Sequence, residues 1–152
     1  LAALCNAVPR DYLSDRLPAP YTDADADWWL HRVAEQDGKT ALYRAILLDG
    51  EIVGNISVEP KSDVYRRDGE IGYLLHPDHW GKGIMTAAVQ QMCTLAFDTL
   101  ELLRITGLVY APNTASRRVL EKAGFAPEGI LRHAVYKNGQ VWDLAVYGRL
   151  KQ

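Results

Sequence analysis

The chain has 152 residues, 48% hydrophobic and 24% charged, proportions of a globular protein long enough to bury a core without disulfides or metal. With 17 Lys and Arg against 19 Asp and Glu the net charge is −2, so there is no cationic excess to neutralise a phosphate backbone, and nucleic acid is excluded as a principal partner. The most apolar window, Thr40 to Leu48, contains Arg44 and falls short of the ~18 residues of a membrane span; Cys5 and Cys93 form no C-x-x-C pair and suit a reducing, cytoplasmic setting.

In chain order, Thr22 and Asp25 have the spacing of a capping box. Ala26, Trp29, Leu30 and Val33 then repeat at helical period until Gly38 stops the helix. Thr40 to Leu48 and Glu51 to Glu59 are strand-forming runs joined by Asp49-Gly50, the signature of a tight hairpin. A polar link, Lys61 to Asp68, precedes a short strand from Glu70 to Leu75. From Gly83 the residues Ile84, Ala87, Ala88, Met92 and Leu95 mark one face of a helix running to about Asp98. Leu103 to Tyr110 reads as a strand, and Asn113 caps a helix through Ala123, with Gly124 at its left-handed end and Phe125 as hydrophobic closure. Ile130 to Tyr136 and Val141 to Leu150 form a last hairpin around Asn138-Gly139. The expected fold class is mixed α/β (α+β), a mostly antiparallel sheet flanked by helices, in a single domain over 1–152.

The segment Trp80-Gly81-Lys82-Gly83-Ile84-Met85-Thr86 lies between a strand and a helix. The first N–H groups of that helix have no intrahelical partner and its dipole is positive there, so an anion is favoured. The glycines allow close approach of a pyrophosphate, and the Thr86 hydroxyl can add a further bond. A plain glycine turn before a core helix explains the same residues. A P-loop does not, because Gly-x-x-x-x-Gly-Lys spacing is missing, and a dinucleotide fingerprint is poorly met, since Thr86 stands where its third glycine belongs.

This loop, together with Asn113-Thr114-Ala115-Ser116 and the Arg-Arg-Val-Leu-Glu-Lys-Ala-Gly-Phe that follows, resembles the GNAT superfamily of acyl-CoA-dependent N-acyltransferases, and within it the subgroup containing ribosomal-protein N-terminal acetyltransferases. Trp80 departs from the usual Gln or Arg of the loop, and Met85 from its last Gly or Ala, but neither change removes a backbone donor. The resemblance implies a GNAT sheet splayed between its fourth and fifth strands, a first strand that precedes a helix ending near Val8 and so lies outside this chain, and a homodimer as one way of covering the sheet edge. It also implies acetyl-CoA as co-substrate, a primary amine as acceptor (a protein N-terminus or a small molecule), and direct attack without a covalent enzyme intermediate.

By the same resemblance, Leu75, His76, Gly81, Lys82, Gly83, Ile84, Met85, Thr86 and Asn113 are the expected cofactor contacts. A backbone N–H near Leu75 would face the thioester oxygen. Glu70 is the candidate base, acting through water, or else a solvated strand carboxylate. Ser116 is the candidate donor to the leaving thiolate, with Tyr110 in reserve, or else only part of a capped first turn; the tyrosine that many relatives use has Leu120 in its place. Tyr12, Trp28, Trp29 and Trp142 are the expected acceptor wall, with core packing as the alternative. No metal is expected: Asp23, Asp25 and Asp27 imitate a calcium loop, but Trp28 occupies the required glycine position, and His76 and His79 have no further ligands nearby. A non-catalytic acyl-CoA sensor or scaffold is the competing reading, which would keep the loop but need neither Glu70 nor Ser116.

Overall fold

The computed structural model describes residues 1–152. Its elements are α1 (Ala2–Ala7), α2 (Asp23–Gln36), β1 (Leu42–Leu48), β2 (Glu51–Pro60), β3 (Asp68–Leu75), α3 (Ile84–Thr99), β4 (Arg104–Tyr110), α4 (Thr114–Lys122), β5 (Ala126–Lys137) and β6 (Gln140–Leu150), with single 3-10 turns at Asp63–Tyr65 and Pro77–His79. No helix is long and apolar enough to cross a membrane.

Local chemistry sets most boundaries. At the start of α2 the Asp25 N–H donates to Thr22 Oγ1 at 3.2 Å and the Thr22 N–H donates to Asp25 Oδ2 at 2.9 Å, so two orphan donors are satisfied reciprocally. Both hairpins turn on consecutive left-handed residues, Asp49 and Gly50 (φ 50° and 81°) and Asn138 and Gly139 (φ 51° and 73°), which is the twist that flanking antiparallel strands require. After α4, Gly124 adopts φ 93° and the Phe125 N–H returns to Leu120 O at 2.9 Å, burying Phe125 against the core.

The six strands form one sheet in the order β1-β2-β3-β4-β6-β5. Every neighbouring pair is antiparallel except β3 and β4, which run parallel and are joined by the crossover helix α3. One sheet face carries the main core of 21 buried residues, into which α3 presents Met85, Val89, Met92, Cys93, Ala96 and Phe97 at helical spacing. Leu120 of α4 lies over Gly107 of β4 so closely that a Cβ on Gly107 would stand 2.7 Å from Leu120 Cδ1. On the opposite face Cys5, Tyr21 and Ala26 make a small second cluster with Leu74 packed against it, which places α1 and α2 on that side.

Two expectations are corrected. Leu30 is exposed, and Ala26 is the buried residue of α2, packed with Cys5 and Tyr21 against Leu74 of β3. Strand β5 begins at Ala126 rather than Ile130, with register shifts after Pro127 and Leu131. A proline is tolerated there because β5 is the edge of the sheet and its outward side needs no donor.

Candidate active site

The parallel pair β3 and β4 is joined only from Asp68↔Arg104 to Ile71↔Gly107. Beyond that rung β3 continues with β2 as far as Leu75↔Gly54, and β4 with β6 as far as Tyr110↔Leu144. The facing edges of Gly72 to Leu75 and Leu108 to Tyr110 therefore border a wedge instead of each other. Glu70 pairs with Thr106 just inside the closed end and with Glu59 on the other side. Its side chain is exposed, on the face of the sheet that carries α1 and α2. Two carboxylates directly opposite each other weaken a ladder, so Glu70 has no evident value to the sheet.

At the open end of β3 the chain enters the glycine-bearing loop. The Trp80 indole Nε1 donates to Leu75 O at 2.8 Å, tying the loop to the end of the strand. The His76 N–H donates to Val53 O at 2.7 Å and is thereby removed from the free donors, while the His76 ring caps the Pro77–His79 turn. Gly81 and Gly83 are left-handed (φ 73° and 77°), and a Cβ on either would meet nothing within 4 Å. Glycine is thus required by backbone conformation, and the space above it is open. The N–H groups of Gly81, Lys82, Gly83, Ile84, Met85 and Thr86 make no hydrogen bond within the protein. Met85 turns its side chain into the core. A row of free donors at the positive end of a 16-residue helix fits a pyrophosphate.

Across the wedge, Asn113 caps α4: its Oδ1 accepts the Ser116 N–H at 3.2 Å and its own N–H donates to Tyr110 O at 2.8 Å. The Asn113 side-chain amide N–H groups make no bond within the protein and remain available to an amide-bearing ligand. Arg117 fastens the same turn, with Nε donating to Tyr147 Oη at 3.0 Å and an Nη to Ala111 O at 3.1 Å. Ser116 Oγ stands 2.5 Å from Tyr73 Oη, a bond that spans from β3 to α4. Burial pushes the Tyr73 phenol up to about 12, with the Ser116 hydrogen bond pulling the other way. Tyr73 was not singled out in the sequence. The signal was its period-2 alignment with Ile71 and Leu75 on the buried face, where a phenol needs a partner.

The aromatic residues separate into two groups. Tyr12 meets Tyr110 and Trp142 edge-to-face, with ring centroids 6.2 and 6.3 Å apart, beside the open end of β4. The loop carrying Tyr12 is held by Lys137, a side chain only 7% exposed, whose Nζ donates to Leu13 O and to Asp15 Oδ1 at 2.9 Å. Trp29 instead packs on Tyr43 at 5.3 Å, and Trp28 is 63% exposed on α2. The structure thus brings Tyr12 and Trp142 together at the wedge and leaves Trp28 and Trp29 along α2. Nor does any cluster of three or more His, Cys, Asp or Glu capable of holding a metal occur.

The sequence profile of the acetyltransferase (GNAT) domain matches residues 2–126. This chain belongs to the GNAT acetyltransferase family. It is 39% identical over 124 residues to YdaF of Bacillus subtilis, named as a candidate ribosomal N-acetyltransferase, covering 82% of this chain and 66% of that protein. Among solved structures, the ribosomal-protein-S5-alanine acetyltransferase of Vibrio fischeri superposes with a TM-score of 0.83 at 25% identity, over 98% of this GNAT chain and 86% of that one. RimJ of Mycobacterium smegmatis, in complex with CoA-disulfide, gives 0.77 at 28% identity, over 88% and 65%. The chain spans between about half and two thirds of the length of YdaF and other curated relatives it matches. The GNAT fold, the ribosomal-protein-type subgroup and the splayed sheet expected from the sequence are all borne out by these matches and by the strand pairing.

Proposed function

We propose that this chain is an acetyl-CoA-dependent N-acetyltransferase that moves an acetyl group onto a primary amine by direct attack in a ternary complex, with the free N-terminus of a protein as the preferred acceptor. The observation that carries this reading is a row of free loop N–H groups after the open end of β3, with a side-chain hydroxyl of α4 bonded to Tyr73 of the same strand. Acetyl-CoA supplies an activated acetyl thioester. The chain's own residues do the rest. The N–H groups of Gly81 to Thr86 hold the pyrophosphate with the α3 dipole behind them, and the Asn113 amide meets the pantetheine arm along the unpaired edge of β3. Ser116 Oγ–H stands ready to protonate the departing sulfur.

Glu70 takes the acceptor's proton through water. Its side chain is exposed to the water that would carry the proton, and an α-amino group with a pKa of roughly 8 is already partly neutral near pH 7 and needs little help from a base. Direct attack is favoured because both cysteines are buried and their thiols are pushed up by burial, Cys93 to about 11, so neither offers a thiolate to carry the acetyl group. The ribosomal-protein-S5-alanine acceptor in the name of the Vibrio fischeri structure supports a protein acceptor here.

The test is release of free thiol from acetyl-CoA in the presence of peptides beginning with Ala, Ser or Met, spermidine, free amino acids or an aminoglycoside. Turnover is expected with a peptide. Turnover confined to spermidine or another small amine would keep the enzyme and overturn the acceptor; CoA binding without turnover on any amine would favour an acyl-CoA sensor.

A further inference from the structure

Ser116 lies in the first turn of α4, where a serine needs no side-chain partner because Asn113 already caps the helix. It has one nonetheless. Tyr73 reaches across from β3, two residues past the last rung shared with β4, and places its Oη 2.5 Å from Ser116 Oγ and 3.4 Å from Ser116 O. The carbonyl can only accept, so the phenol donates in the 3.4 Å contact, while the 2.5 Å pair admits either oxygen as donor. Tyr73 is also the sole side-chain or backbone partner of Ser116 Oγ within the protein. Either hydroxyl can donate across this pair; the phenol is the stronger acid and the better donor, and with its hydrogen on Ser116 Oγ the serine's own hydrogen has no acceptor on the protein and is free to serve the wedge.

We propose that Tyr73 is a positioning residue for the Ser116 hydroxyl: its O–H fixes the serine rotor so that the Ser116 hydrogen faces the departing sulfur, and it stabilises the oxygen as that hydrogen leaves. The inference rests on the reading of Ser116 as the proton donor. In the step concerned, the acceptor nitrogen bonds to the acetyl carbon, the carbon–sulfur electron pair leaves with sulfur, and sulfur takes the Ser116 proton. Ser116 Oγ is held by the Tyr73 O–H until it regains a proton from solvent. The acceptor nitrogen loses one proton and sulfur gains one, so the hydroxyl pair ends the turnover as it began. Rigid packing supports the arrangement, since the Tyr73 ring is lodged against the main core and α4 is pinned through Leu120 and Arg117.

The experiment is a double-mutant cycle in the full chain, read by thiol release with acetyl-CoA and the peptide giving highest turnover, by calorimetric CoA affinity, and by crystal structures with CoA bound. Ser116→Ala is expected to lower kcat by about one to two orders of magnitude. Tyr73→Phe should lower kcat by about tenfold, with the KM for acetyl-CoA and the CoA affinity kept and Ser116 Oγ spread over more than one rotamer. The double variant should match Ser116→Ala alone, because a positioning residue has nothing left to position. Losses that simply add, or a Tyr73→Phe protein with unchanged kcat and an unchanged Ser116 rotamer, would overturn the role of Tyr73 while leaving Ser116 in place. Full activity in Ser116→Ala would remove the proton-donor reading itself and the inference with it, and so would an absence of turnover in the unaltered chain.

Discussion

Gly83 allows conformation and charge at the proposed cofactor loop to be separated. Its φ of 77° is left-handed and a Cβ there meets nothing within 4 Å, so Gly83→Ala suffers only the backbone cost, about 1–2 kcal/mol. In a chain of this length that is a fall of about 2–8 °C in Tm. Gly83→Glu should show the same fall without ligand, since its side chain also enters open space. The two variants diverge with CoA. A carboxylate about 5 Å from a phosphate charge is repelled by about 1 kcal/mol in water and about 3 kcal/mol at an effective dielectric constant of 20. Two pyrophosphate charges bring the repulsion to at least about 2 kcal/mol, which is about thirtyfold in affinity. Thermal unfolding without ligand and calorimetric titration with CoA measure the two quantities independently. If Gly83→Glu binds CoA as tightly as Gly83→Ala, the N–H groups of Gly81 to Thr86 do not hold the pyrophosphate, and the cofactor site is elsewhere.

Glu70→Gln should lower kcat/KM by a factor that grows at least about tenfold from pH 8 to pH 6, because an α-amino acceptor is increasingly protonated over that range and depends more on a base. A constant ratio to the unaltered chain across the profile would reduce Glu70 to a surface carboxylate. Gly107→Ala places a methyl 2.7 Å from the buried Leu120 Cδ1; overpacking of about 1–3 kcal/mol outweighs the roughly 0.5–1 gained by replacing a strand glycine. Tm should fall and turnover with it, as α4 carries Ser116 away from the wedge, whereas an unchanged Tm and rate would show that α4 shifts at no cost. Cys93 is fully buried, and burial raises its thiol from 9.0 to about 11. The fold favours the neutral thiol, so this contribution is intact below pH 9 and lost as pH rises through 11, about 3 kcal/mol in all. Stability measured from pH 8 to pH 11 should therefore decline more steeply in the unaltered chain than in Cys93→Ala, and parallel curves would refute the assignment.

What could be read from residue order was what short-range chemistry dictates. The Thr22–Asp25 box, the Asp49-Gly50 and Asn138-Gly139 turns, the Asn113 cap and the Gly124-Phe125 closure depend on neighbours within a few positions, and each occurs where its spacing places it. The failures lie where a distant neighbour decides. Leu30 fits the period of α2 yet is exposed, and Ala26 is the helix's buried residue, packed with Cys5 and Tyr21 of more distant segments. Ala126 to Gly129 has the composition of a turn, yet it pairs as a strand because β6 offers a partner there.

The candidate site follows the same division. Its loop, read as an anion cradle, is a local object: two left-handed glycines before a helix, with donors freed by the geometry of a helix start. Tyr73 is not local, since its only polar partner is on a helix 43 residues away, and nothing in Glu-Ile-Gly-Tyr-Leu-Leu sets a tyrosine facing that helix apart from one filling the core. The wedge is what makes the difference physical. Because β3 and β4 stop pairing after Ile71 and Gly107, Tyr73 keeps its place in the ladder with β2 but has no β4 residue paired on its other side, and its phenol reaches α4. The divergence that opens room for a cofactor thus also brings the Tyr73 and Ser116 hydroxyls within 2.5 Å of each other.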